Sequence, residues 1–200
     1  MGTGSGSRTR HEVRLIGGQW KRSKLPVAER PGLRPTPDRV RETLFNWLGQ
    51  DLGGWRCLDA FAGSGALGFE AASRGAAEVV LLERDPTLVR SLCSSRQRLA
   101  ADSVQVVQCD ALAWMRQCTP ARFELVFLDP PYDAALLAPA LRLAVALLSE
   151  DGFVYVESGQ PLPGLPDGLS PYRAGKAGAV HHGLWRRGYT RADVRLGPAP

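Results

Sequence analysis

The sequence predicts an α/β fold in which helices cover both faces of a doubly wound, mostly parallel sheet. Short apolar runs alternate with segments of helical spacing between residues 56 and 157. A glycine-rich turn, Gly63–Gly68, follows the first of these runs. The fourth run stops at the prolines of Asp129–Tyr132, because proline supplies no N–H to a sheet ladder. Both loops are therefore expected at the carboxyl edge of the sheet, where open α/β folds bind ligands.

Length and composition agree with one domain of ordinary size. The 200 residues are 44% hydrophobic, which is enough for a real core. The sequence has no apolar stretch of membrane-spanning length, and its Gly/Ser/Arg-rich amino terminus lacks the apolar core of a signal peptide. We therefore predict a cytoplasmic protein with no membrane partner. The four cysteines lack the paired spacing of metal ligands, so we expect reduced thiols and no metal.

Positive charge is concentrated in the first quarter of the chain. Residues 1–50 contain ten Lys and Arg against four Asp and Glu, whereas residues 51–200 contain fifteen against sixteen. Such asymmetry is the electrostatic footprint of a protein that binds a polyanion, and a solvated basic tail is the simpler alternative. We expect residues 1–10 to be disordered and residues 11–50 to form a basic, nucleic-acid-binding extension.

The extension is predicted to contain a hairpin and a helix. Gly17-Gly18 suits a hairpin turn, and the hairpin would lay four cations on nucleic-acid phosphates: Arg14, Lys21, Arg22 and Lys24. At the helix start, Thr36 can act as the cap, Pro37 fits the first position, and Asp38 favours the positive end of the dipole. Helical spacing predicts a buried face of Val40, Leu44, Trp47 and Leu48, with Arg39 and Arg41 elsewhere.

The remaining elements follow from the alternation of patterns. Predicted strands are Arg56–Ala60, Glu78–Glu83, Val104–Gln108, Phe123–Asp129 and Phe153–Glu157, followed by an antiparallel pair, Tyr172–Gly178 and Val180–Arg187. Predicted helices are Gly65–Ser73, Pro86–Ala100, Ala111–Gln117 and Leu136–Leu148. On the last strand, His181 and His182 would point to opposite faces, so we expect solvent exposure rather than a shared metal site.

The Asp129–Tyr132 motif has the parts needed to hold a nucleobase by its amino group. That amino group is a poor nucleophile, because its lone pair is delocalised into the ring. If the Asp129 carboxylate and the Pro130 carbonyl both accept hydrogen bonds from it, the lone pair is aimed at an electrophile and the developing charge is stabilised. Tyr132 would stack on the base, which is worth about 1–3 kcal/mol. The alternative is that the motif is only a stiff turn.

The glycine-rich turn indicates a nucleoside ligand. Gly63, Gly65 and Gly68 fit the dinucleotide pattern G-x-G-x-x-G, but Asp59 places a carboxylate beside the position of a pyrophosphate, where like charges are unfavourable. An acid at that position suits the ammonium group of a sulfonium cofactor with an amino acid tail. Glu83 ends the next strand and can take ribose hydroxyls of either kind of ligand.

With these motifs in place, the sequence resembles the class I S-adenosylmethionine-dependent amino-methyltransferases. More narrowly, Ile16–Trp20, Gly32–Thr36, Asp38–Trp47 and Leu58–Gly68 resemble the bacterial RsmD family, which methylates N2 of one guanine in 16S ribosomal RNA. The resemblance implies a Rossmann-like methyltransferase domain over residues 51–188, with a terminal antiparallel strand and a flexible tail at 189–200. It also implies the small ribosomal subunit as partner; we expect a monomer.

The resemblance assigns a role to each site residue. The catalytic motif is Asp129, Pro130, Pro131 and Tyr132. The cofactor would contact Thr36, Arg39, Asp59, Phe61, Gly63, Gly65, Glu83, Arg84, Asp110, Ala111 and Asp129. Asp110 could instead cap the next helix; both roles together are favoured. Arg34 would join the four hairpin cations on RNA. Two other functions remain open, an adenine-N6 or cytosine-N4 methyltransferase and a non-catalytic RNA-binding module.

Overall fold

The computed structural model describes residues 12–27, 36–131, 134–161, 164 and 166–188. Nine strands and five helices follow one another in this part of the chain. The strands are β1 Glu12–Arg14, β2 Lys24–Pro26, β3 Arg56–Asp59, β4 Glu78–Glu83, β5 Val104–Gln108, β6 Phe123–Leu128, β7 Leu148–Ser158, β8 Leu169–Ala177 and β9 Val180–Arg187. The helices are α1 Asp38–Leu48, α2 Ala66–Ser73, α3 Pro86–Arg98, α4 Ala111–Gln117 and α5 Ala134–Leu147.

Some predictions fall outside the described residues. They are the disordered tail at residues 1–10, the RNA contact of Arg34, the stacking ring of Tyr132 and the flexible tail at residues 189–200.

The main sheet has seven strands in the order β5-β4-β3-β6-β7-β9-β8. Strands β3 to β7 run parallel to one another, and β9 pairs antiparallel with both β7 and β8. The predicted doubly wound sheet with a terminal antiparallel pair is confirmed. In the described part of the chain, no helix has the length and apolar character needed to cross a membrane.

Strand β7 begins five residues earlier than predicted. The polar segment Ser149–Gly152 suggests a turn, but β7 already starts at Leu148, which pairs with Phe123 before a register shift in β6. Asp151 takes a positive φ of 65° in this irregular part. Long-range pairing therefore overrides the local turn signal here.

The predicted amino-terminal hairpin is confirmed, and it packs on the main fold. Strands β1 and β2 form a separate two-stranded antiparallel sheet. Leu15 and Leu25 are fully buried in one core cluster with Phe45 of α1 and Phe69 of α2. The hairpin turn at Gly17-Gly18 packs closely against the end of α2, because a Cβ on Gly18 would lie 1.8 Å from the Ser73 carbonyl oxygen. One hydrophobic core therefore contains side chains from the predicted extension, residues 11–50, and from the rest of the fold.

A buried ion network, here called the docking cluster, joins the hairpin to the fold. Arg41, Glu70 and Arg74 form it, and their side chains are 0%, 0% and 5% exposed. Glu70 accepts hydrogen bonds from the backbone N–H groups of Ile16 and Gly17 at 2.9 and 2.8 Å. Arg74 donates to Glu70 at 2.9 Å, and Arg41 donates to Glu70 at 3.3 Å.

The prediction that Arg41 lies away from the buried face was wrong. Its guanidinium also donates to the carbonyl of Arg14 and to Asp38, both at 2.7 Å. Spacing alone could not reveal this, since a charged residue is buried only where partners from other elements compensate it.

Two further sequence interpretations need correction. Thr36 does not cap α1: the helix begins at Asp38 after Pro37, without a side-chain cap, and the Thr36 side chain hydrogen-bonds to Glu157 instead. His182 is not solvent-exposed, because it is 4% accessible and stacks on Trp47 with ring centroids 5.4 Å apart. Neighbouring strands and α1 cover that face of β9, which the local alternation could not show.

Candidate active site

The candidate site lies where the strand order reverses. Strand β3 has β4 on one side and β6 on the other, and all three are parallel. Asp59 is the last residue of β3, and Asp129 directly follows β6. Since Asp59 is level with Phe127 in the register, Asp129 lies two residues further along the same edge. This edge is the position at which open α/β sheets bind ligands.

Asp59 is a buried carboxyl with a strongly perturbed pKa. It is 2% exposed, and its Oδ2 accepts a hydrogen bond from the backbone N–H of Gly68 at 3.1 Å. Burial raises the pKa of Asp59 to about 7, with smaller contributions from Glu83 and Glu157, while the N–H bonds of Gly68 and Phe61 oppose the shift. A cationic ligand group beside Asp59 would favour its ionised form.

The glycine turn needs glycine at two of its positions. Gly63 and Gly65 have φ values of 53° and 78°, in the left-handed region. A Cβ on Gly65 would also lie 2.7 Å from side-chain atoms of Leu92 and Phe69. The turn therefore leaves its backbone, rather than side chains, facing the space above β3.

Glu83 connects this turn to the end of β4. One carboxylate oxygen accepts from the Gly63 N–H at 2.9 Å, and the other accepts from the N–H groups of Arg84 and Asp85 at 2.8 and 2.9 Å. A carboxylate has about four acceptor positions, so one remains for a ligand hydroxyl. The bonds fix the carboxylate where a ribose would approach.

The other predicted cofactor residues are placed less decisively. Asp110 caps α4, accepting from the Ala113 N–H at 2.8 Å, which confirms its capping role and leaves the adenine contact a prediction. Ala111 is buried in the first turn of α4. Phe61 is half-buried and Arg84 is exposed. All four residues follow the carboxyl ends of β3, β4 or β5, the same edge of the sheet.

Three carboxyls converge at the switch point, the place where the strand order reverses. We call them the edge cluster: Asp59, Asp129 and Glu157. Burial raises the pKa of Asp129 well above its usual value, and the charges of Glu157 and Asp59 raise it further. Burial also raises the pKa of Glu157, against hydrogen bonds from Thr36 and Tyr155 and the charge of Arg41. The Tyr155 hydroxyl donates to Glu157 at 2.9 Å. The predicted catalytic motif thus begins in a crowded, acidic environment.

The structure brings some predicted residues to this edge and not others. Pro130 is half-buried and Pro131 exposed, directly after Asp129. Thr36 reaches the edge through Glu157, whereas Arg39 is exposed and lines a pocket between α1 and β8. The four hairpin cations are exposed, and the Lys24 ammonium lies 2.7 Å from a Glu12 carboxylate oxygen.

Sequence reasoning missed two residues of this edge, Glu157 and Tyr155. Glu157 ends a predicted strand, as Asp59 and Glu83 do, and that position was the available signal. Tyr155 lies two residues earlier in the same strand, so its side chain points to the same face as that of Glu157. Tyr155 is completely buried.

Comparison with known proteins agrees with this geometry. The family model described as "Conserved hypothetical protein 95" matches residues 13–186. "Ribosomal RNA small subunit methyltransferase D" of Escherichia coli K12 is 44% identical over 181 residues, covering 88% of this chain and 90% of that protein. The protein of the same name from Haemophilus influenzae is 40% identical and is covered to 94%. A solved structure, "Putative methyltransferase yhhF from Escherichia coli", is 42% identical with a TM-score of 0.79, covering 88% of this chain and 98% of that one.

Proposed function

This chain belongs to the RsmD family, and we propose that it transfers a methyl group from S-adenosylmethionine to the N2 amino group of one guanine in 16S ribosomal RNA of the small subunit. The observation that carries the proposal is the position of Asp129. Its carboxyl follows β6 at the switch point, beside the strand that carries Asp59 and the glycine turn. A base held at Asp129 would lie next to a cofactor held at that turn.

The chain would act by orienting the target amino group. The Asp129 carboxylate and the Pro130 carbonyl would accept its two N–H bonds, which aims the nitrogen lone pair toward the cofactor side of the edge. Asp129 is only partly exposed, and hydrogen bonds to a group that is partly screened from water are stronger than those in bulk water. After transfer the nitrogen loses a proton, either to Asp129 or to water. The proposed stacking of Tyr132 would hold the base plane.

The residues after β3, β4 and β5 fit S-adenosylmethionine. Asp59 suits the ammonium of the methionine tail, Glu83 a ribose hydroxyl, and Asp110 the adenine amino group. When bound, the cofactor supplies an electrophilic methyl group on a sulfonium. Phe61, Gly63, Gly65, Arg84 and Ala111 would line its path, and Thr36 and Arg39 are proposed near its carboxylate. A ribosomal substrate also supports cytoplasmic location, and we propose that the protein acts as a monomer.

A second function differs in the base. An adenine-N6 or cytosine-N4 methyltransferase would use the same motif, since Asp129 and Pro130 recognise an amino group rather than a whole base. The rRNA small-subunit relatives favour the guanine proposal over both. An RNA-binding module without turnover is disfavoured, because both proposed acceptors of the target amino group, Asp129 and Pro130, directly follow β6.

The proposal is tested by transfer of labelled methyl groups to unmodified small subunits, naked ribosomal RNA and DNA, followed by nucleoside mass spectrometry. We expect N2-methylguanosine from a ribosomal substrate. Methyladenosine or methylcytidine would replace the guanine assignment. No transfer despite cofactor binding would favour the non-catalytic module.

A further inference from the structure

A pocket of about 340 Å³ opens between α1 and the β8–β9 hairpin. Arg39, Thr43 and Trp47 line it on the helix side, and Lys176 and His182 line it on the strand side. Arg39 and Lys176 are both exposed, and among the described residues neither is paired with a carboxylate. The pocket therefore carries two cations that no acidic side chain of the described chain neutralises.

His182 brings an unsatisfied polar atom to this pocket. The ring is 4% exposed and stacks on Trp47 at an interplanar angle of 26°. Its Nδ1 is buried and has no hydrogen-bond partner within the described residues. Leaving a buried polar atom unpaired is unfavourable, so a ligand that reaches Nδ1 when the His182 ring shifts would supply a hydrogen bond that the described residues do not. The neighbouring Gly175 leaves space for the ring, since a Cβ there would lie 2.6 Å from Nε2.

Arg39, which is proposed near the cofactor's carboxylate, lines this pocket, but the proposed cofactor residues of the sheet edge lie on the opposite side of Asp129. Those residues follow β3, β4 and β5, whereas the pocket borders β9 and β8 at the other end of the sheet. In the register of β7 and β9, His182 lies opposite Glu157. Strand β7 is the neighbour of β6, which Asp129 follows. Adjacent strands are about 4.8 Å apart, so β8 lies roughly 15 Å from β6. That distance is short enough for one RNA strand to span both sites.

We propose that this pocket holds a nucleotide close to the target base in the same RNA strand. Lys176 would contact its phosphate, and His182 Nδ1, brought to the pocket surface by a small shift of the ring, would pair with the edge of its base. Proteins that recognise single-stranded RNA combine such cations with hydrogen bonds to splayed bases. The inference rests on the proposed function, because it takes the substrate to be RNA.

The test uses two pocket variants with matched controls. Lys176→Gln removes one cation, and Arg173→Gln removes a cation from the same strand outside the pocket. His182→Phe keeps the ring stack on Trp47 and removes Nδ1, while His181→Phe makes the same change at a position that does not line the pocket. Each protein is assayed for methyl transfer to small subunits, for RNA binding by anisotropy, and for S-adenosylmethionine binding by calorimetry.

We expect each pocket variant to weaken RNA binding and raise the KM for RNA about three- to tenfold. Lys176→Gln should also lower the slope of log affinity against log salt by about 0.7. Cofactor affinity and kcat at saturating RNA should stay at the wild-type values, as should every property of the controls. Lys176 is exposed, so its variant should fold normally even if His182→Phe does not.

Three outcomes would overturn the inference. Unchanged RNA affinity in both pocket variants would remove the pocket from the RNA path. Loss of cofactor affinity instead would assign the pocket to the cofactor's carboxylate. Equal losses in the controls would show a diffuse charge effect. If the wild-type protein binds RNA but transfers no methyl group, the proposed function fails, and the anisotropy comparison still decides the role of the pocket.

Discussion

The docking cluster and the edge cluster both concentrate ionisable side chains, but opposite charges balance only in the docking cluster, where Asp38 also pairs with Arg41. In the docking cluster, Glu70 lies between Arg41 and Arg74 and accepts two backbone N–H bonds from the hairpin. In the edge cluster, three carboxyls converge, and burial raises the pKa of each.

This difference separates a structural use of charge from a functional one. A balanced network with satisfied hydrogen bonds fixes one arrangement, here the position of the hairpin on α2. A cluster of like charges costs stability and is retained where a ligand completes it. Changes in the docking cluster should therefore act on folding, and changes in the edge cluster should act on activity and on pH dependence.

The largest expected effect is on stability, from Glu70→Gln. This change leaves Arg41 and Arg74 buried without their carboxylate, and breaking a buried pair costs about 3–5 kcal/mol. Urea unfolding at pH 7 measures it. Glu124→Gln is the matched control, since the Arg56–Glu124 pair is 42% and 27% exposed and should contribute about 1 kcal/mol or less. Equal losses in the two variants would contradict a special role for burial.

The next effect is on catalysis, from Asp129→Asn. The amide offers one acceptor and adds donors that oppose the target amino group, so kcat should fall about 10²- to 10³-fold, as when one oriented stabilising group is removed. Calorimetry should show cofactor binding largely retained. Asp102→Asn is the control, because Asp102 precedes β5 at the opposite edge of the sheet. Wild-type turnover in Asp129→Asn would refute the acceptor role.

These clusters also show what sequence reasoning can reach. Asp59, Glu83 and Asp129 could be predicted because each ends an apolar run, and parallel strands bring their carboxyl ends to one edge. Arg41 could not, since besides the nearby Asp38 its partners include a carbonyl 27 residues away and a carboxylate 29 residues away. His182 was missed for the same reason: its burial depends on Trp47 of α1, which no local pattern of β9 encodes.

A smaller effect is the pH dependence of stability. The pKa of Asp59 is about 7 in the folded protein, above its value near 3.9 in an unfolded chain. Between these values the folded state holds a proton that the unfolded state has released, so stability falls as pH rises from about 4 to 7. Asp59→Asn removes this loss and should stabilise the protein at pH 8 by about 1–3 kcal/mol, more than at pH 5. Parallel wild-type and variant curves of unfolding free energy against pH would contradict the raised pKa.

The smallest effect concerns the hairpin that the docking cluster holds in place. Lys21→Gln, Arg22→Gln and Lys24→Gln each remove one exposed cation, and surface ion pairs contribute about 0.2–1 kcal/mol. RNA binding should weaken by that amount per variant, and its salt dependence should become less steep for each phosphate that the variant no longer neutralises. Lys24 should matter least, because Glu12 already neutralises it. Folding stability should not change, since the docking cluster and not these cations fixes the hairpin. An unchanged salt slope in a variant with all three substitutions would show that the RNA binds elsewhere. In that case Glu70→Gln should weaken RNA binding only by unfolding the protein.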